Sequence, residues 1–354
     1  GRNKFFTAIS LFGISFTLLI LMLITAFYDA EFGNNAPLTE KDRMVFLGQL
    51  KLELARPDTL WTIDSTLLDG KMAYDSTFTI GENVSSTSIS QFSYDFLSKY
   101  LADIETSANH SFFSNGHSFD VFLDNRKLSI EVLYTDEEYW NLFDFEFTDG
   151  DPITGGHVRD ASPVAVITTD MAERYFGTTV DIVGQEIELG SRLYRIIGLV
   201  EKARTTSDLV ASDAFLPLTT MDARSLESTE FHGTMAATYL AKEKADIPLI
   251  KEEIASKVSG IEYPTPEDFN RVSTIPMDAP EMFAGMILDQ NDPAKALKII
   301  RLVFGVLLLF FVLLPTLNLI NMNLCRILER EAEIGVRKAV GAHSGTILYQ
   351  FVFE

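Results

Sequence analysis

Few side chains in this sequence are spaced for chemistry. The five histidines, at positions 110, 117, 157, 232 and 343, show no metal-ligand spacing. Gly116-His117-Ser118-Phe119-Asp120 lacks the second glycine of a nucleophile elbow, and Asp149-Gly150-Asp151 lacks the ligand series of a calcium loop, so a turn is the simpler interpretation. No GxxxxGK[ST] loop for phosphates occurs. We therefore expect no catalytic residue, no cofactor and no metal.

A dense charge cluster lies directly behind an apolar run, at residues 329–342 (Glu-Arg-Glu-Ala-Glu-Ile-Gly-Val-Arg-Lys-Ala-Val-Gly-Ala). Charges at the end of a membrane span cannot lie in hydrocarbon, and most of these residues are good helix formers. Glu333 and Arg337 are four apart in the favourable order, worth about 0.2–0.5 kcal/mol to a helix. The pattern predicts a short helix on the membrane surface that contacts a cytosolic partner. A solvated helix that only orients the protein is the alternative.

Two apolar runs are long enough to cross a membrane. Residues 5–27 carry no charge, and 23 residues of helix span about 34 Å against a hydrocarbon core of about 30 Å. A cleaved signal peptide is the rival interpretation, but the run is long for one and lacks a convincing cleavage site. Residues 299–324 carry only Arg301, which can reach the interface. Within this run Pro315 is expected to kink the helix, and Asn318 and Asn321 could bond a neighbouring helix or be hydrated.

Charge orients the chain in the membrane. Residues 29–300 contain 22 basic and 46 acidic residues, a net charge of −24, whereas the flanks contain 7 basic and 4 acidic residues. The positive-inside bias then places both ends in the cytosol and the acidic segment outside. An acidic outer domain argues against nucleic acid as a partner. The only cysteine, Cys325, lies at the cytosolic side, so the outer domain has no disulfide, which favours a Gram-negative periplasm.

The outer segment mixes strands and helices. Alternating and β-branched runs predict strands at 44–54, 75–80, 127–135, 164–167, 186–189, 193–200, 214–218 and 236–241. Helical spacing predicts helices at 90–104, 137–143, 171–176 and 247–258, and Asp292-Pro293 begins a helix that continues into the second span. Phe143 to Phe147 has strand spacing and is expected in the core, with a substrate groove as the alternative. The two spans would extend outward as helical stalks.

Several of these segments resemble MacB/FtsX-type ABC transporter permeases. Residues 331–342 resemble the signature of the helix that docks on the ATPase in that family, although the usual arginine is displaced to Arg330. Residues 134–145, 162–168, 172–177, 183–187 and 194–200 look like the family's periplasmic core domain. The match covers most of the chain and is weakest between residues 34 and 129.

The resemblance implies an architecture. It implies an α+β periplasmic core domain of two lobes, with mixed β-sheets and helices, inserted between two transmembrane helices in the bacterial inner membrane. Together with the charge pattern it divides the chain into a cytosolic stub (1–4), a first span (5–28), the core domain with stalks (29–298), a second span (299–324), a coupling helix (325–342) and the start of a third span (343–354). We therefore expect this sequence to be part of a longer protein.

The resemblance also implies partners. These are a separate cytosolic ATPase subunit that binds the ATP, a homodimer or a related permease, and in some members a periplasmic adaptor, lipoprotein or cell-wall hydrolase. It assigns ATPase docking to Arg330, Glu331, Glu333, Ile334, Gly335, Arg337, Lys338, Gly341 and Ala342. The function implied is export or efflux driven by mechanical transmission. A non-transporting regulator of a hydrolase and a two-span anchored sensor or scaffold remain the alternatives.

Overall fold

The structure is a computed structural model that describes residues 2–68, 71–114, 116–123, 126–203, 209–289, 291–343, 345 and 349. It divides into two compact units, one of residues 1–29 and 297–354 and the other of residues 30–296. The larger unit holds all the described strands. The expected third span, at 343–354, falls almost entirely outside the described residues.

The strands are β1 Met44–Leu47, β2 Leu50–Leu68, β3 Lys71–Phe92, β4 Ser107–Ser114, β5 His117–Leu123, β6 Arg126–Thr135, β7 Phe147–Gly150, β8 Val164–Thr168, β9 Glu186–Leu189, β10 Arg192–Val200, β11 Ala214–Pro217, β12 His232–Gly233, β13 Met235–Ala241, β14 Arg271–Thr274 and β15 Met277–Asp278. They join in the order β14-β2-β3-β13-β4-β6-β11-β8-β10-β7, with the other five strands attached beside this path. The pairs β8/β10 and β6/β11 are parallel, and the remaining pairs are antiparallel.

The helices are α1 Arg2–Phe32, α2 Tyr94–Phe96, α3 Tyr139–Leu142, α4 Gly155–Arg159, α5 Thr169–Phe176, α6 Ala223–Glu227, α7 Ile247–Ser259, α8 Ala279–Ile287, α9 Pro293–Glu329 and α10 Glu331–Ala339. Lys295 donates its backbone N–H to the Asp292 carboxylate (2.9 Å), which confirms the predicted start of α9. The mixed α+β character is confirmed. The division of the domain into two lobes stays a prediction.

The core lies on both faces of the sheet. Strand β8 is buried throughout, with Ala165 and Ile167 in one apolar cluster and Val166 in the other. Helices α5 and α7 supply Met171 and Ile250 to the first cluster, whereas α3 supplies Tyr139 to the second. A strand that is buried on both sides needs apolar residues at every position, which is why residues 164–167 were recognisable in the sequence.

The unit from β8 to β10 follows the prediction closely. Helix α5 ends at Gly177, whose φ of 74° favours glycine, and its N-terminal cap is Thr168, whose side chain accepts the backbone N–H of Met171. The predicted strands at 186–189 and 193–200 correspond to β9 and β10, which pair antiparallel around Gly190 and Ser191.

Two predictions fail locally. Residues 90–104 were expected as one helix, but β3 continues to Phe92 and only short helical turns follow, at Tyr94–Phe96 and Leu97–Leu101. Residues 143–147 do not form a strand before Phe147, although Phe143 and Phe145 are buried as expected of core residues. In both places the spacing of the aromatic residues reflects their burial in the core and not the periodicity of a strand or a helix.

Candidate coupling helix and the framework of the core domain

The predicted docking residues lie on and around one short helix. Helix α9 ends at Glu329, Arg330 adopts φ −103° and ψ 12°, and α10 then begins at Glu331. The backbone N–H of Ile334 donates to the Arg330 carbonyl (3.0 Å), so Arg330 is the residue that starts the new helix. The helical conformation predicted for this segment is confirmed, while its role in docking stays a prediction.

The end of α10 explains two of the predicted residues. Gly341 has φ +93°, where a side chain would be strained, and its N–H donates to the Lys338 carbonyl (3.1 Å). The N–H of Ala342 donates to the Arg337 carbonyl (3.0 Å). These two bonds form a Schellman motif, which satisfies carbonyls that the helix end would otherwise leave open. Gly341 and Ala342 therefore terminate the helix, whatever docks on it.

The outward face of α10 is apolar and made of small residues. Val336 and Val340 are 64% and 84% exposed, and Ala332, Gly335 and Ala339 are also exposed on this side. Ile334 and Arg337 are only half-exposed. The two valines, rather than Ile334, are the more exposed apolar side chains on this helix.

Gly335 has no packing reason within the described residues. A Cβ built at this position meets no atom within 4 Å. Glycine in the interior of a helix is about 0.8–1.0 kcal/mol less favourable than alanine. The helix therefore carries an unfavourable residue on its outward face, where it leaves room for close approach by another surface.

The predicted kink and packing residues lie in α9. Pro315 is inside this helix, while the side chains of Asn318 and Asn321, like that of Glu333, lie outside the described residues. Thr316 donates its hydroxyl to the Val312 carbonyl (2.8 Å) one turn back. Thr17 and Thr25 do the same in α1, at 2.9 Å and 2.8 Å. Their hydroxyls are therefore satisfied within their own helices, as a lipid environment requires.

One described helix is long and apolar enough to cross a membrane. It covers residues 293–317, with a mean hydropathy of 2.7, and its side chains are almost entirely exposed. In α1 a shorter apolar stretch, Ser15–Asp29, is described. The second predicted span is thus supported by length and composition, and the first stays a prediction.

Within the core domain, Asp136 organises the segment that follows β6. Its carboxylate accepts hydrogen bonds from the Ser111 hydroxyl (2.6 Å) and from the backbone N–H groups of Phe112 (2.7 Å) and Tyr139 (2.8 Å). Burial raises the pKa of Asp136 to about 6, against the lowering effect of these three donors. The residue ties β4 to the first turn of α3.

Helix α3 then inserts an aromatic cluster into the core. Tyr139 is fully buried and donates its hydroxyl to the Leu209 carbonyl (2.8 Å). Its ring lies 4.5 Å from that of Phe143 and 5.9 Å from that of Phe215, between ring centroids. Burial raises the pKa of Tyr139 well above its usual value. Since these rings pack on one another, they form core rather than an open substrate groove.

Helix α5 is held to the sheet by Arg174. Its guanidinium bonds Asp213, at the start of β11, and lies 3.0 Å from Asp170 on its own helix. Asp213 in turn accepts the backbone N–H of Glu131 in β6 (3.2 Å). The nearby carboxylates raise the pKa of Arg174 despite partial burial. The motif Ala172 to Gly177 is therefore a framework element that fixes helix α5 beside strands β6 and β11.

Three features of the structure were not predicted from the sequence. They are the three donors to Asp136, the outward valines of α10 and the length of the β2–β3 hairpin. Asp136 stands three residues before Tyr139, the spacing of a helix cap, and that signal was available in the sequence. The other two features depend on tertiary placement. None of the described histidines, cysteines, aspartates or glutamates form a group of three or more suited to a metal.

Comparison with known proteins identifies the family. The family model of the MacB-like periplasmic core domain matches residues 7–257. MacB 1 of Yersinia pestis bv. Antiqua, a macrolide export ATP-binding/permease protein, is 25% identical over 243 residues, 68% of this chain and 35% of that protein. MacB of Acinetobacter baylyi is 26% identical over 230 residues, 61% of this chain and 30% of that protein. The chain thus spans about a third of the length of these curated relatives.

Solved structures show partial likeness. A permease domain from Porphyromonas gingivalis has a TM-score of 0.43 and 15% identity, covering 67% of this chain and 90% of its own. The periplasmic region of MacB from Actinobacillus actinomycetemcomitans has a TM-score of 0.40 and 12% identity, covering 56% of this chain and 84% of its own. The assignment rests on the sequence match, which covers well over half of the 354 residues. This chain belongs to the MacB-like periplasmic core domain family of ABC transporter permeases.

Proposed function

We propose that this chain is the permease part of a MacB/FtsX-type ABC transporter that couples ATP hydrolysis by a cytosolic ATPase to movement of its periplasmic domain. The observation that carries the proposal is α10, a short charged helix that follows the long apolar helix α9 directly. The family assignment supports an ABC transporter context. Export or efflux by mechanical transmission is the function proposed.

The geometry of α10 favours a docking role over a solvated one. A helix that only met water would gain from alanine at position 335 and would have no use for the exposed Val336 and Val340. Glycine between small apolar residues instead allows a second surface to approach the backbone closely. Lys338, at the C-terminal end, adds a positive charge beside this face. A protein partner that covers the valines accounts for all three features.

The proposed setting is the bacterial inner membrane. The segments around residues 1–4 and 325–342 lie in the cytosol, and the core domain lies in the periplasm, as the charge asymmetry favours. The chain works as a homodimer or beside a related permease, and a periplasmic adaptor, lipoprotein or hydrolase completes the system. Pro315, Asn318 and Asn321 are proposed to shape and pack the second span.

ATP is proposed to bind on a separate partner subunit, so this chain is not itself the enzyme. The names of the curated relatives join an ATP-binding and a permease part in one protein. In our proposal these parts are divided, and α10 is the surface on which they meet. A direct test is purification of the full-length protein with native lipid. We expect an ATP-binding cassette subunit to co-purify with it.

A matched control sharpens this test. Double charge reversal at Glu333 and Arg337 should reduce capture of the ATPase, whereas Glu252→Lys, on the exposed side of α7, should leave it unchanged. If no ATP-binding cassette subunit is ever captured, the coupling function is wrong and a two-span anchored sensor takes its place. If the subunit is captured but no substrate moves, the chain is a non-transporting regulator of a periplasmic hydrolase.

A further inference from the structure

The hairpin of β2 and β3 extends well beyond the rest of the sheet. Its two strands pair from Leu50↔Ser90 to Leu68↔Lys71. On one side β14 accompanies only Leu50–Glu53, and on the other β12 and β13 pair only with Gln91 and Phe92. Among the described residues, the outer part of the hairpin therefore pairs only with itself. We call residues 55–68 and 71–89 the ribbon.

A β-bulge sets the two faces of the ribbon. Leu54 pairs with Ser86 and Ala55 with Val84, so Ser85 is an extra residue in β3. The bulge reverses the alternation of β3 relative to its base. As a result, the apolar residues on either side of it reach the same face. The pairings place these residues together on that face: Ile63, Phe78, Ile80, Val84 and Ile89.

This face points away from the core. Leu50 and Leu52 occupy the opposite face at the base of the hairpin, and both are fully buried. The five apolar residues, which we call the ribbon stripe, are between 41% and 75% exposed. An apolar residue exposed singly needs no explanation, but five in register on a solvent face indicate a contact surface. A two-stranded ribbon is also marginally stable in water on its own.

We propose that the ribbon stripe is the surface through which the periplasmic domains of two copies of this chain contact each other. This proposal assigns a contact surface to the homodimer named under the proposed function. It rests on the proposed function only in assuming that one membrane holds both copies. It does not depend on ATPase docking. Charge favours a second copy as the partner, and the area of the stripe is sufficient for a copy held in the same membrane.

Charge on this face is balanced. The Glu53 carboxylate forms ion pairs with the Lys51 ammonium (2.6 Å) and the Arg271 guanidinium (3.6 Å). The Arg271 guanidinium also pairs with the Glu82 carboxylate (2.5 Å). These two basic and two acidic groups cancel, whereas residues 29–300 as a whole carry −24. Two copies of so acidic a domain repel each other over most of their surfaces. A neutral apolar face is where such copies can approach, while a basic partner would be drawn to acidic surfaces instead.

The area of the stripe suits a partner that is already held nearby. Fourteen residues of β3, from 76 to 89, extend about 46 Å, and a two-stranded ribbon is about 10 Å wide, so each copy offers roughly 450 Å². Two copies would bury roughly 900 Å², below the ~1,200–2,000 Å² of stable complexes between free proteins. Two permeases in one membrane meet at a high effective concentration, where a small interface is sufficient.

Cysteine cross-linking of the full-length protein in native membranes tests the proposal. Cys325→Ser removes the only natural cysteine. Single cysteines are then introduced on the stripe by Phe78→Cys, Ile80→Cys and Val84→Cys. The matched controls, Thr77→Cys, Thr79→Cys and Asn83→Cys, lie on the same strand, are also exposed and face the other way. A bis-maleimide joins cysteines that are near each other without requiring them to lie on the two-fold axis.

We expect covalent dimers at several-fold higher yield from the stripe positions than from the controls. Adding Ile89→Thr to the Phe78→Cys variant should lower the yield, because it removes apolar contact while keeping a β-branched residue. Equal yields on both faces, or none on either, would overturn the proposal. So would an adduct of the stripe with a different protein. Capture of the ATPase is measured in a separate experiment. The dimer-contact proposal and the ATPase-docking proposal can therefore fail independently of each other.

Discussion

Asp136 shows how one carboxylate can hold two elements together. It accepts three hydrogen bonds from Ser111, Phe112 and Tyr139, and no apolar side chain can replace it without leaving donors unpaired. Each unpaired buried donor costs about 1–3 kcal/mol. The residue lies in a segment that resembles the family's core domain, so its role there is to build the fold.

Asp136→Ala should therefore lower the free energy of unfolding at neutral pH by at least about 1–3 kcal/mol. The measurement is denaturant unfolding of the purified protein, followed by tryptophan fluorescence, to which Trp140 beside the affected helix turn contributes. Asp144→Ala is the matched control, because Asp144 is exposed and eight residues further along. Equal losses in the two variants would contradict the assigned role.

The same variant carries a pH signature. The folded pKa of Asp136, about 6, lies above its ordinary value of 3.8. A carboxyl whose pKa is raised by folding contributes stability that is present at low pH and lost as the pH rises through about 6. The advantage of the natural protein over Asp136→Ala should thus shrink between about pH 4 and pH 6. A difference that stays constant over this range would show that the carboxyl does not titrate there.

Helix α10 contains two glycines with opposite roles. Gly335 lies in the helix interior with open space around it, and Gly341 closes the helix with φ +93°. Gly335→Ala should stabilise the isolated helix by about 0.8–1.0 kcal/mol, whereas Gly341→Ala should destabilise its end. Amide hydrogen exchange of residues 331–342, measured in detergent, reports the change in helix stability in both variants. Shifts of the same sign in the two variants would contradict this account of the helix.

How far the sequence predicts an element depends on how local its signals are. Strand β8 and helix α5 were found because Val164 to Ile167 is continuously apolar and Gly177 ends the helix. The ribbon was predicted only in part, at residues 75–80, because its serines and threonines carry no burial pattern. Its pairing is fixed by the partner strand across the hairpin, which a single segment does not reveal.

The candidate site follows the same logic. The helical character of α10 could be predicted because its residues are good helix formers and Gly341 is a normal terminator. Which residues of α10 face outward could not be predicted, because Val336 and Ile334 have similar hydrophobicity. Only the packing of the chain makes Ile334 the less exposed of the two. The docking role is implied by the family resemblance and stays a prediction, and the structure shows open space around Gly335.

At the scale of the whole molecule, the chain has parts of different charge. The core domain is strongly acidic, the flanks are slightly basic, and α10 combines charges of both signs with an exposed apolar face. The proposed function uses each part: the flanks fix orientation, α9 crosses the membrane, α10 meets an ATPase, and the ribbon stripe meets a second copy. We predict that the contact at α10 and the contact at the ribbon stripe can each be broken without disturbing the other.

The coupling role of α10 is tested most directly by ATP hydrolysis in reconstituted lipid. The partner ATPase is assayed with the natural permease, with the double variant Glu333→Lys and Arg337→Glu, and with the control Glu252→Lys in the core domain. We predict that the natural permease and the control change the ATPase rate equally and that the double variant loses this effect, while the unfolding of its core domain stays the same. An unchanged ATPase rate with the double variant would contradict the coupling account.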